Sequence, residues 1–528
     1  METTLNSRFF RVQLMLVLII VTVFSVEAYD FMENGIAYNI NEDGASVEVT
    51  YQRLAQSGYS NLSGDIVIPS SVYNNGTEYT VTSIGRDAFR NCINLTSVVI
   101  PISVTKISFK SFMGCSGLTS VEIPGSVTEI GESAFYDCIN LSSLHIPGSV
   151  TSIEPSAFYY CGGLSSITVE ESNAFYDSRD NCNAIIETST NTLVKGSNNT
   201  VIPNSIESIG MCSFANCKGL ETVIIPNSVT EIGKNSFLTC TSLTSLTIGN
   251  SVTSIGGSAF SHCYGLETVI IPKSVTSIGV GAFSDCRGLS SMVVEGDNPN
   301  YDSRDDCNAV IETETNTLIA GCKNTIVPNT ITSIGDFAFY GCNDLKSLTI
   351  PNSVLSIGEF VFNRCKNMTT VIIPNSVVSI GIGSFSSCNE LKSLTIGSSV
   401  SSIGSLAFGC GGALSSITCK ISAPQNVAYG DPYHIFDNGV NKETCILRVP
   451  MGTLELYRTM MPWSEFANIV VEGDVNNDEA VNSADVTAIY NFLLDGGQEA
   501  PATYDVDGDG VVTTADVTAI YNVILGEQ

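Results

Sequence analysis

A 23-residue repeat fills the middle of this 528-residue chain and limits the folds that it can adopt. A phenylalanine followed three residues later by a cysteine recurs at this spacing, and the twelfth unit is one residue short. A unit this small cannot bury its apolar side chains alone, so neighbouring units must stack around a shared core. The pairs are Phe89/Cys92, Phe112/Cys115, Phe135/Cys138, Phe158/Cys161, Phe214/Cys217, Phe237/Cys240, Phe260/Cys263, Phe283/Cys286, Phe339/Cys342, Phe362/Cys365, Phe385/Cys388 and Phe408/Cys410.

Each unit contains two extended segments and one tight turn. In the third unit, residues 118–123 alternate and are rich in β-branched residues, and Pro124 and Gly125 end the run. Residues 127–131 form a second extended segment, and residues 133–138 form a turn that directs Phe135 and Cys138 inward. Stacking then places equivalent residues about 4.8 Å apart. The repeat predicts a mainly β, right-handed solenoid with a parallel sheet on one face.

Two longer inserts interrupt the series. The gaps from Cys161 to Cys217 and from Cys286 to Cys342 are both 56 residues. Near-copies at residues 176–186 and 301–311 lie in these gaps, and every landmark returns 125 residues later. This pattern indicates that a block of about five units was duplicated.

The C-terminal tail contains two copies of a loop with the ligand spacing of a calcium site. Ca²⁺ binds roughly six to eight oxygen atoms on a loop that surrounds it. Positions 1, 3, 5, 9 and 12 carry side-chain oxygens, and position 7 offers its backbone carbonyl. The predicted ligands of two ions are Asp474, Asn476, Asp478, Ala480, Asn482 and Asp485 in loop 1, and Asp505, Asp507, Asp509, Val511, Thr513 and Asp516 in loop 2.

Loop 1 departs from the pattern at one position. Position 6 favours glycine because it needs a positive φ, and Gly510 provides this in loop 2. Loop 1 has Glu479 there, at a cost of about 1–2 kcal/mol, so we expect it to bind calcium more weakly. Each loop runs into one helix, and position 12 is Asp rather than the Glu of an EF-hand.

These two patterns resemble two known families. The repeat over about residues 80–420 resembles the BspA-type leucine-rich repeat of surface proteins from anaerobic bacteria and some mucosal parasites. The tail resembles a type I dockerin, which implies calcium-dependent docking onto a cohesin-bearing scaffold protein. Dockerins contact cohesins through loop positions 10 and 11, so the resemblance implies Ser483-Ala484 and Thr514-Ala515 as contacts. Because these pairs are nearly alike, we expect two binding orientations.

Residues 1–28 are typical of a secretory signal peptide, with Arg8 and Arg11 before an apolar run that is shorter than a membrane span. We therefore expect an exported chain without a membrane span in its mature form. The predicted division is 29–80 for an N-terminal β cap, 81–420 for the solenoid, 421–471 for a C-terminal cap and 472–528 for the calcium module.

The net charge of −30 argues against nucleic acid and anionic membranes as partners.

The 18 cysteines mostly occupy one repeat position, which predicts buried free thiols rather than disulfides or a zinc site. The three histidines, His145, His262 and His434, lie in no catalytic motif. The outward positions of the predicted sheet form a Ser/Thr ladder beside a row of Thr, Val and Ile, with one carboxylate and no aromatic platform. These features argue against an enzyme.

We therefore expect a secreted or surface-associated, non-catalytic recognition protein that docks onto a scaffold. BspA-type relatives act as adhesins, and the resemblance implies an extracellular protein or glycan ligand on the solenoid. An extended protein surface is the better match to the flat sheet face, with affinity concentrated at Val99, Ile224, Ile270, Val293 and Ile372. Two alternatives stay open: an accessory part of a polysaccharide-degrading complex, and a tail that only adds stability.

Overall fold

The computed structural model describes residues 29–51, 62–431, 434–437, 439–476, 478, 480–495, 501–506 and 511–525. The prediction of a mainly β solenoid is confirmed, since short strands repeat through the described chain. The chain divides into two compact units, residues 1–200 with 212–217 and residues 201–211 with 218–528. The predicted signal peptide lies outside the described residues, and the predicted domain boundaries stay a prediction.

The first unit begins with antiparallel strands that cover the start of the solenoid. Strand Ile36–Ile40 pairs with Phe31–Glu33 and Ser46–Thr50, and Thr77–Ile84 pairs with Ser71–Asn74. Ser46–Thr50 then pairs in parallel with Thr77–Ile84, which joins this sheet to the repeats. Tyr38, Val47 and Val49 are fully buried there, so these strands shield the apolar end of the stack.

Two rows of parallel strands follow in the first unit. The longer strands form one row, and two-residue strands form the other. The long row contains Gly64–Val67, Leu95–Val99, Ser120–Glu122, Ser143–Ile146 and Ser166–Val169. The short row contains Lys106–Ile107, Glu129–Ile130 and Ser152–Ile153, and the insert adds Tyr176–Asp177, Ala184–Glu187 and Thr192–Gly196, with a 3₁₀ turn at Arg179–Asn181.

The second unit has two rows of the same kind. Its long row contains Thr222–Ile224, Ser245–Thr247, Thr268–Ile271, Ser291–Val294, Thr370–Ile372, Ser393–Ile396, Ser416–Cys419, Ile446–Val449 and Asn468–Val471. Its short row contains Ser208–Ile209, Glu231–Ile232, Ser254–Ile255, Ser277–Ile278, Ser333–Ile334, Ser356–Ile357, Ser379–Ile380, Ser402–Ile403 and Ala428–Tyr429. The insert strands are Tyr301–Asp302, Ala309–Glu312 and Thr317–Gly321, and the 3₁₀ turns are Arg304–Asp306, Pro424–Asn426, Trp463–Glu465 and Ala502–Tyr504.

Three α-helices lie at the C-terminal end of the second unit. Helix α1 is Leu454–Thr459, α2 is Ser483–Leu494 and α3 is Thr514–Leu525. Tyr457 on α1 and Trp463 just after it are fully buried and close the end of the repeat core. Helices α2 and α3 pack on each other around a small separate core that includes Ile489 and Ile520.

The buried phenylalanines form a ladder through each unit. The rings of Phe89 and Phe112 stack with centroids 5.0 Å apart, and Phe112 and Phe135 repeat this distance. In the second unit, Phe237 and Phe260 stack at 5.1 Å. Burying one such side chain contributes roughly 1.5–3 kcal/mol, and every ring needs a neighbour on each side.

Where each insert begins, side chains form the hydrogen bonds that the backbone of a following repeat would otherwise form. The amide of Ile153 donates to the Tyr176 hydroxyl at 2.8 Å, and Ile278 does the same to Tyr301 at 2.9 Å. Asn173 Nδ2 donates to the carbonyls of Pro147 and Val150. The backbone groups that face the inserts are thus satisfied without another repeat.

The cysteine side chains lie inside the stack, as predicted. All 18 are buried and free. Many thiols donate to the carbonyl of the phenylalanine 26 residues earlier, as Cys115 does to Phe89 at 3.0 Å and Cys138 to Phe112 at 3.2 Å. Burial raises the pKa of the Cys92 thiol to about 11 and of the Cys388 thiol to about 12.

These thiols should be unreactive in the native chain. At pH 8 a thiol of pKa about 11 carries roughly a hundredfold less thiolate than one at the ordinary 9.0, and burial also blocks access. Titration with a thiol-reactive dye should give almost no reaction in buffer and 18 reacting groups in guanidinium. Fast reaction of several thiols in buffer would contradict this packing.

The same shifts predict a loss of stability at high pH. Unfolded thiols release their protons near pH 9, whereas the buried thiols hold theirs to about 11–12. The stabilisation is therefore complete below pH 9 and is lost as the pH rises towards 11–12. The free energy of unfolding should fall over this range, and substitution of Cys388 by alanine should reduce the slope.

Candidate calcium module and docking surface

The first calcium loop is closed by the carboxylate at position 12. Asp485 is fully buried, and its Oδ1 accepts the amides of Val475 and Asn476 at 3.0 and 3.3 Å. Its Oδ2 accepts the amide of Asn482 at 2.9 Å. One carboxylate therefore joins the start of the loop to the start of helix α2.

The remaining predicted ligands of loop 1 lie along the same turn. Asp474 is almost fully buried, and its Oδ1 accepts the amide of Asp478 at 3.1 Å. Asn476 Oδ1 accepts the same amide at 2.9 Å, and Asp478 Oδ1 accepts the amide of Ala480 at 2.9 Å. Asn482 caps α2 by accepting the amide of Ala484 at 2.8 Å.

The second loop repeats this geometry. Asp516 is fully buried, and its oxygens accept the amides of Val506 at 2.6 Å and Thr513 at 2.7 Å. Thr513 Oγ1 accepts the amide of Ala515 at 3.0 Å, which matches the cap formed by Asn482. The predicted ligands Asp507 and Asp509, with Gly510 and Glu479, lie outside the described residues.

The donor set suits calcium better than a transition metal. Loop 1 offers three carboxylates, two amide oxygens and one carbonyl, all hard oxygen donors. Within the described ranges, no group of three or more His, Cys, Asp or Glu is arranged to hold a metal ion, so the three carboxylates of loop 1 are not brought together as a finished site. The amide hydrogen bonds to Asp485 and Asp516 pre-form the two loops, and the assignment of individual ligands stays a prediction.

The predicted cohesin contacts lie on the surface. Ser483 and Ala484 are exposed at the start of α2, and Thr514 and Ala515 are exposed at the start of α3. Further along the helices, four large side chains are also exposed, namely Tyr490 44%, Leu494 81%, Tyr521 46% and Leu525 66%. These four residues lie outside the loop motifs, although the 31-residue repeat relates Tyr490 to Tyr521 and Leu494 to Leu525.

A buried arginine joins the module to the cap. Arg448 lies on strand Ile446–Val449, is only 2% exposed, and donates to Ser416 Oγ at 2.6 Å and to the Asp505 carbonyl. Burial lowers its pKa, and the carboxylates of Asp505, Glu472 and Asp516 oppose that shift. Position 1 of loop 2 is thus hydrogen bonded to the last strands of the repeat sheet.

The module also covers the end of the sheet face. A cleft of about 500 Å³ is lined on one side by sheet residues that include Thr395 and Thr418, and on the other by module residues that include Val506 and Val523. Ser393 and Ser416 are buried, at 8% and 7% exposure. The expectation of an open ladder over all twelve units is therefore wrong at this end, because the helical module packs over it.

The earlier strands of the sheet face are open, whereas Ile372 borders the cleft beside the module. Val99, Ile224, Ile270, Val293 and Ile372 have exposures of 42%, 64%, 58%, 44% and 61%. His145 on this face contacts Thr168 Oγ1 through Nδ1 at 2.9 Å. His434 contacts Asp431 at 2.7 Å on the cap.

Comparison with protein-family models gives two matches. The model described as the BspA type leucine rich repeat region matches residues 82–192, 186–303 and 318–429 in six copies, which is more than half of the chain. The dockerin type I domain model matches residues 472–525. Dockerin type I domains bind calcium and dock onto cohesins, so both matches agree with the resemblances found in the sequence. No curated protein matches the chain.

Several solved structures are similar to the chain. A leucine rich cell surface protein from Faecalibacterium prausnitzii is 26% identical, with 78% of this chain and 93% of that one covered and a TM-score of 0.44. A leucine-rich repeat protein from Bacteroides ovatus is 24% identical, with 80% of this chain and 100% of that one covered and a TM-score of 0.37. Another from Bacteroides capillosus is 31% identical, with 26% of this chain and 97% of that one covered and a TM-score of 0.23.

Of the helices in the described ranges, none has the length and apolar character to cross a bilayer.

Replacing Arg448 with methionine should loosen the module from the cap. The substitution keeps the aliphatic stem but removes the hydrogen bonds to Ser416 and Asp505, at a cost of about 1.5–3 kcal/mol. Amide hydrogen exchange should rise around Val506 and Arg448. Arg458→Met, which removes an exposed ion pair with Glu455, should leave exchange unchanged. Equal protection in both variants would show that Arg448 does not fasten the module.

Proposed function

This chain belongs to the BspA-type leucine-rich-repeat family, and we propose that it is a secreted, non-catalytic recognition protein tethered to a cohesin scaffold. The observation that carries the tether is the paired loop-and-helix module, in which Asp485 and Asp516 organise two equivalent loops. The solenoid would present its faces to an extracellular ligand while the module fixes the chain to the scaffold.

We propose two calcium ions, one in each loop. The carboxylates that close the loops are fully buried, and a bound cation would balance their charge and that of the other acidic residues in each loop. From Asp474 to the end the chain has 11 acidic residues and no Lys or Arg, which strengthens the attraction for a divalent ion. The ligands would be those named for each loop above.

The open part of the sheet face is our proposed ligand surface. Ile224, Ile270 and Ile372 are apolar, more than half exposed, and occupy equivalent positions on parallel strands. Such a flat, weakly polar surface suits an extended protein partner. The module limits this surface at Ser393 and beyond, so ligand contact would concentrate on the earlier strands.

Calcium titration of the full chain should reveal two sites of unequal strength. Calorimetry should give two ions per chain, with the weaker site lost in Asp474→Ala and the stronger lost in Asp505→Ala. Glu479→Gly should tighten the weaker site, because glycine adopts a positive φ without strain. One ion per chain, or weaker binding after Glu479→Gly, would contradict the assignment.

Docking should depend on calcium and tolerate the loss of either contact pair. A panel of immobilised type I cohesins should capture the full chain in calcium and release it in EDTA. Converting Ser483-Ala484 or Thr514-Ala515 alone to Arg-Arg should leave most of the binding, because the other orientation survives, and converting both should abolish it.

Two outcomes would change this proposal. Calcium-dependent folding without capture by any cohesin would leave the tail as a stability module. Complete loss after a single pair is changed would show that only one orientation is used.

A further inference from the structure

The turn side of the second unit contains an aromatic and cationic patch that the proposed function does not use. It lies where the Phe–Cys turns of successive repeats stack, away from the outward positions of the long strands. We call it the turn-face cluster and define it as Tyr264, Arg287, Phe337, Tyr340, Phe360 and Arg364.

The rings of this cluster form a continuous series. Phe337 stacks on Phe360 with centroids 5.3 Å apart and lies 5.6 Å from Tyr340. His262 lies between the two tyrosines, with its ring centroid 6.0 Å from Tyr264 and 6.4 Å from Tyr340. The series therefore runs across several repeats.

Both arginines lie over tyrosine rings. The guanidinium carbon of Arg287 is 4.2 Å from the centroid of Tyr264, and that of Arg364 is 5.7 Å from Tyr340. Positive charge is thus placed beside ring faces, which favour it. The fork of Arg287 is already paired with Asp285, so Arg364, which is exposed, is the guanidinium that can meet an anionic group.

A buried carboxylate holds the cationic side in place. Asp285 is 1% exposed, and its oxygens accept from Arg287 Nε at 2.8 Å and Nη2 at 3.1 Å. His262 Nε2 lies 3.4 Å from the same carboxylate, and its Nδ1 lies 2.7 Å from Ser261 Oγ. Ser261 is only 3% exposed, so this arrangement supports the patch rather than exposing a nucleophile.

The cluster uses turn positions whose φ is positive throughout the repeats, as Lys110, Asn235 and Ser258 also show. Phe337 and Phe360 have φ of 58° and 52°, and Arg364 has φ of 63°. Bulky residues are disfavoured in this left-handed region. The same repeat position is glycine at Gly281 and Gly383, where the conformation is free of that penalty. The backbone conformation therefore belongs to the repeat, and the cluster differs from it only in the bulky side chains placed at this position.

The duplicated block provides an internal comparison. Residues 125 positions earlier occupy the equivalent places in the sequence, and none is aromatic or basic. Phe337, Tyr340, Phe360 and Arg364 correspond to Cys212, Ala215, Asn235 and Thr239, and Tyr264 and Arg287 correspond to Ile139 and Gly162. The cluster is therefore a property of the second copy and not a requirement of the repeat.

We propose that the turn-face cluster binds an acidic polysaccharide through its uronic acid units. A guanidinium matches a carboxylate with two parallel hydrogen bonds, and ring faces attract the polarised C–H groups of a sugar. A linear polymer also fits a series of rings that runs across repeats. Six side chains, several of them half-buried, offer less than the roughly 800 Å² per partner of a standard protein interface.

The test uses the full chain and oligogalacturonates, with their methyl esters as the neutral counterpart. EDTA is present so that glycan carboxylates cannot bridge to calcium in the tail. We expect saturable binding of the acidic form that weakens with salt, and at least tenfold weaker binding of the methyl ester. The assay involves neither cohesin nor calcium, so its failure is distinct from failure of the proposed tether.

Two variants test whether the glycan binds at the turn-face cluster, and each introduces the residue found at the equivalent position of the first block. Tyr340→Ala and Arg364→Thr introduce residues that the equivalent positions already hold, so the fold should survive, as circular dichroism would verify. Each should weaken binding at least tenfold, whereas Arg458→Ala, which removes an exposed positive charge from the cap, should have no effect.

Three results would overturn the proposal. They are no binding of the acidic oligosaccharides, equal binding of the methyl esters, and binding that the two variants leave unchanged. Binding of a glutamate–tyrosine copolymer in place of the glycan, lost in the same variants, would assign the cluster to a protein partner instead.

Discussion

Hydrogen bonding between successive coils is the interaction on which the rest of this structure depends. The amide of Phe112 donates to the carbonyl of Ala134 at 2.7 Å, and Phe135 donates to Ala157 at 2.8 Å, each one repeat further along the chain. The buried side chains follow the same rule, since each ring packs on the ring of the next coil. A repeat is therefore stable only when another repeat packs on each side of it. Where an insert interrupts the series, side chains such as Tyr176 and Asn173 form the hydrogen bonds that the next repeat would have formed.

The periodic part of the fold could be predicted from sequence because the same few positions decide every repeat. Spacing alone placed Phe135 and Cys138 in the core, whereas the grouping of the loop aspartates around calcium stays a prediction. Other features depend on contacts between distant segments. Arg448 looks like an ordinary exposed position on a strand, yet it meets Asp505, which is 57 residues away in sequence. The burial of Ser393 and the gathering of Tyr264 with Tyr340 likewise follow from packing that no local pattern shows.

The two surfaces of the solenoid have different chemistry. The sheet face is regular and carries one carboxylate, Glu122, and the helical module ends its open part near Thr395 and Thr418. The turn side is irregular, and His262, Arg287 and Phe360 break its pattern of small polar residues. A regular surface can only repeat one kind of contact, whereas an irregular one can select a ligand. The repeat fold separates these tasks because strand residues and turn residues change independently.

The inserts have a consequence for how this protein can change in length. Each insert meets its preceding coil through the same pair of side chains, with Asn298 and Tyr301 taking the places of Asn173 and Tyr176. Recombination between the two copies would remove or add 125 residues and still bring matched surfaces together at the new junction. Homologous exchange in the coding sequence can therefore lengthen or shorten the array in whole blocks. The length of the array becomes an inherited variable that needs no new fold.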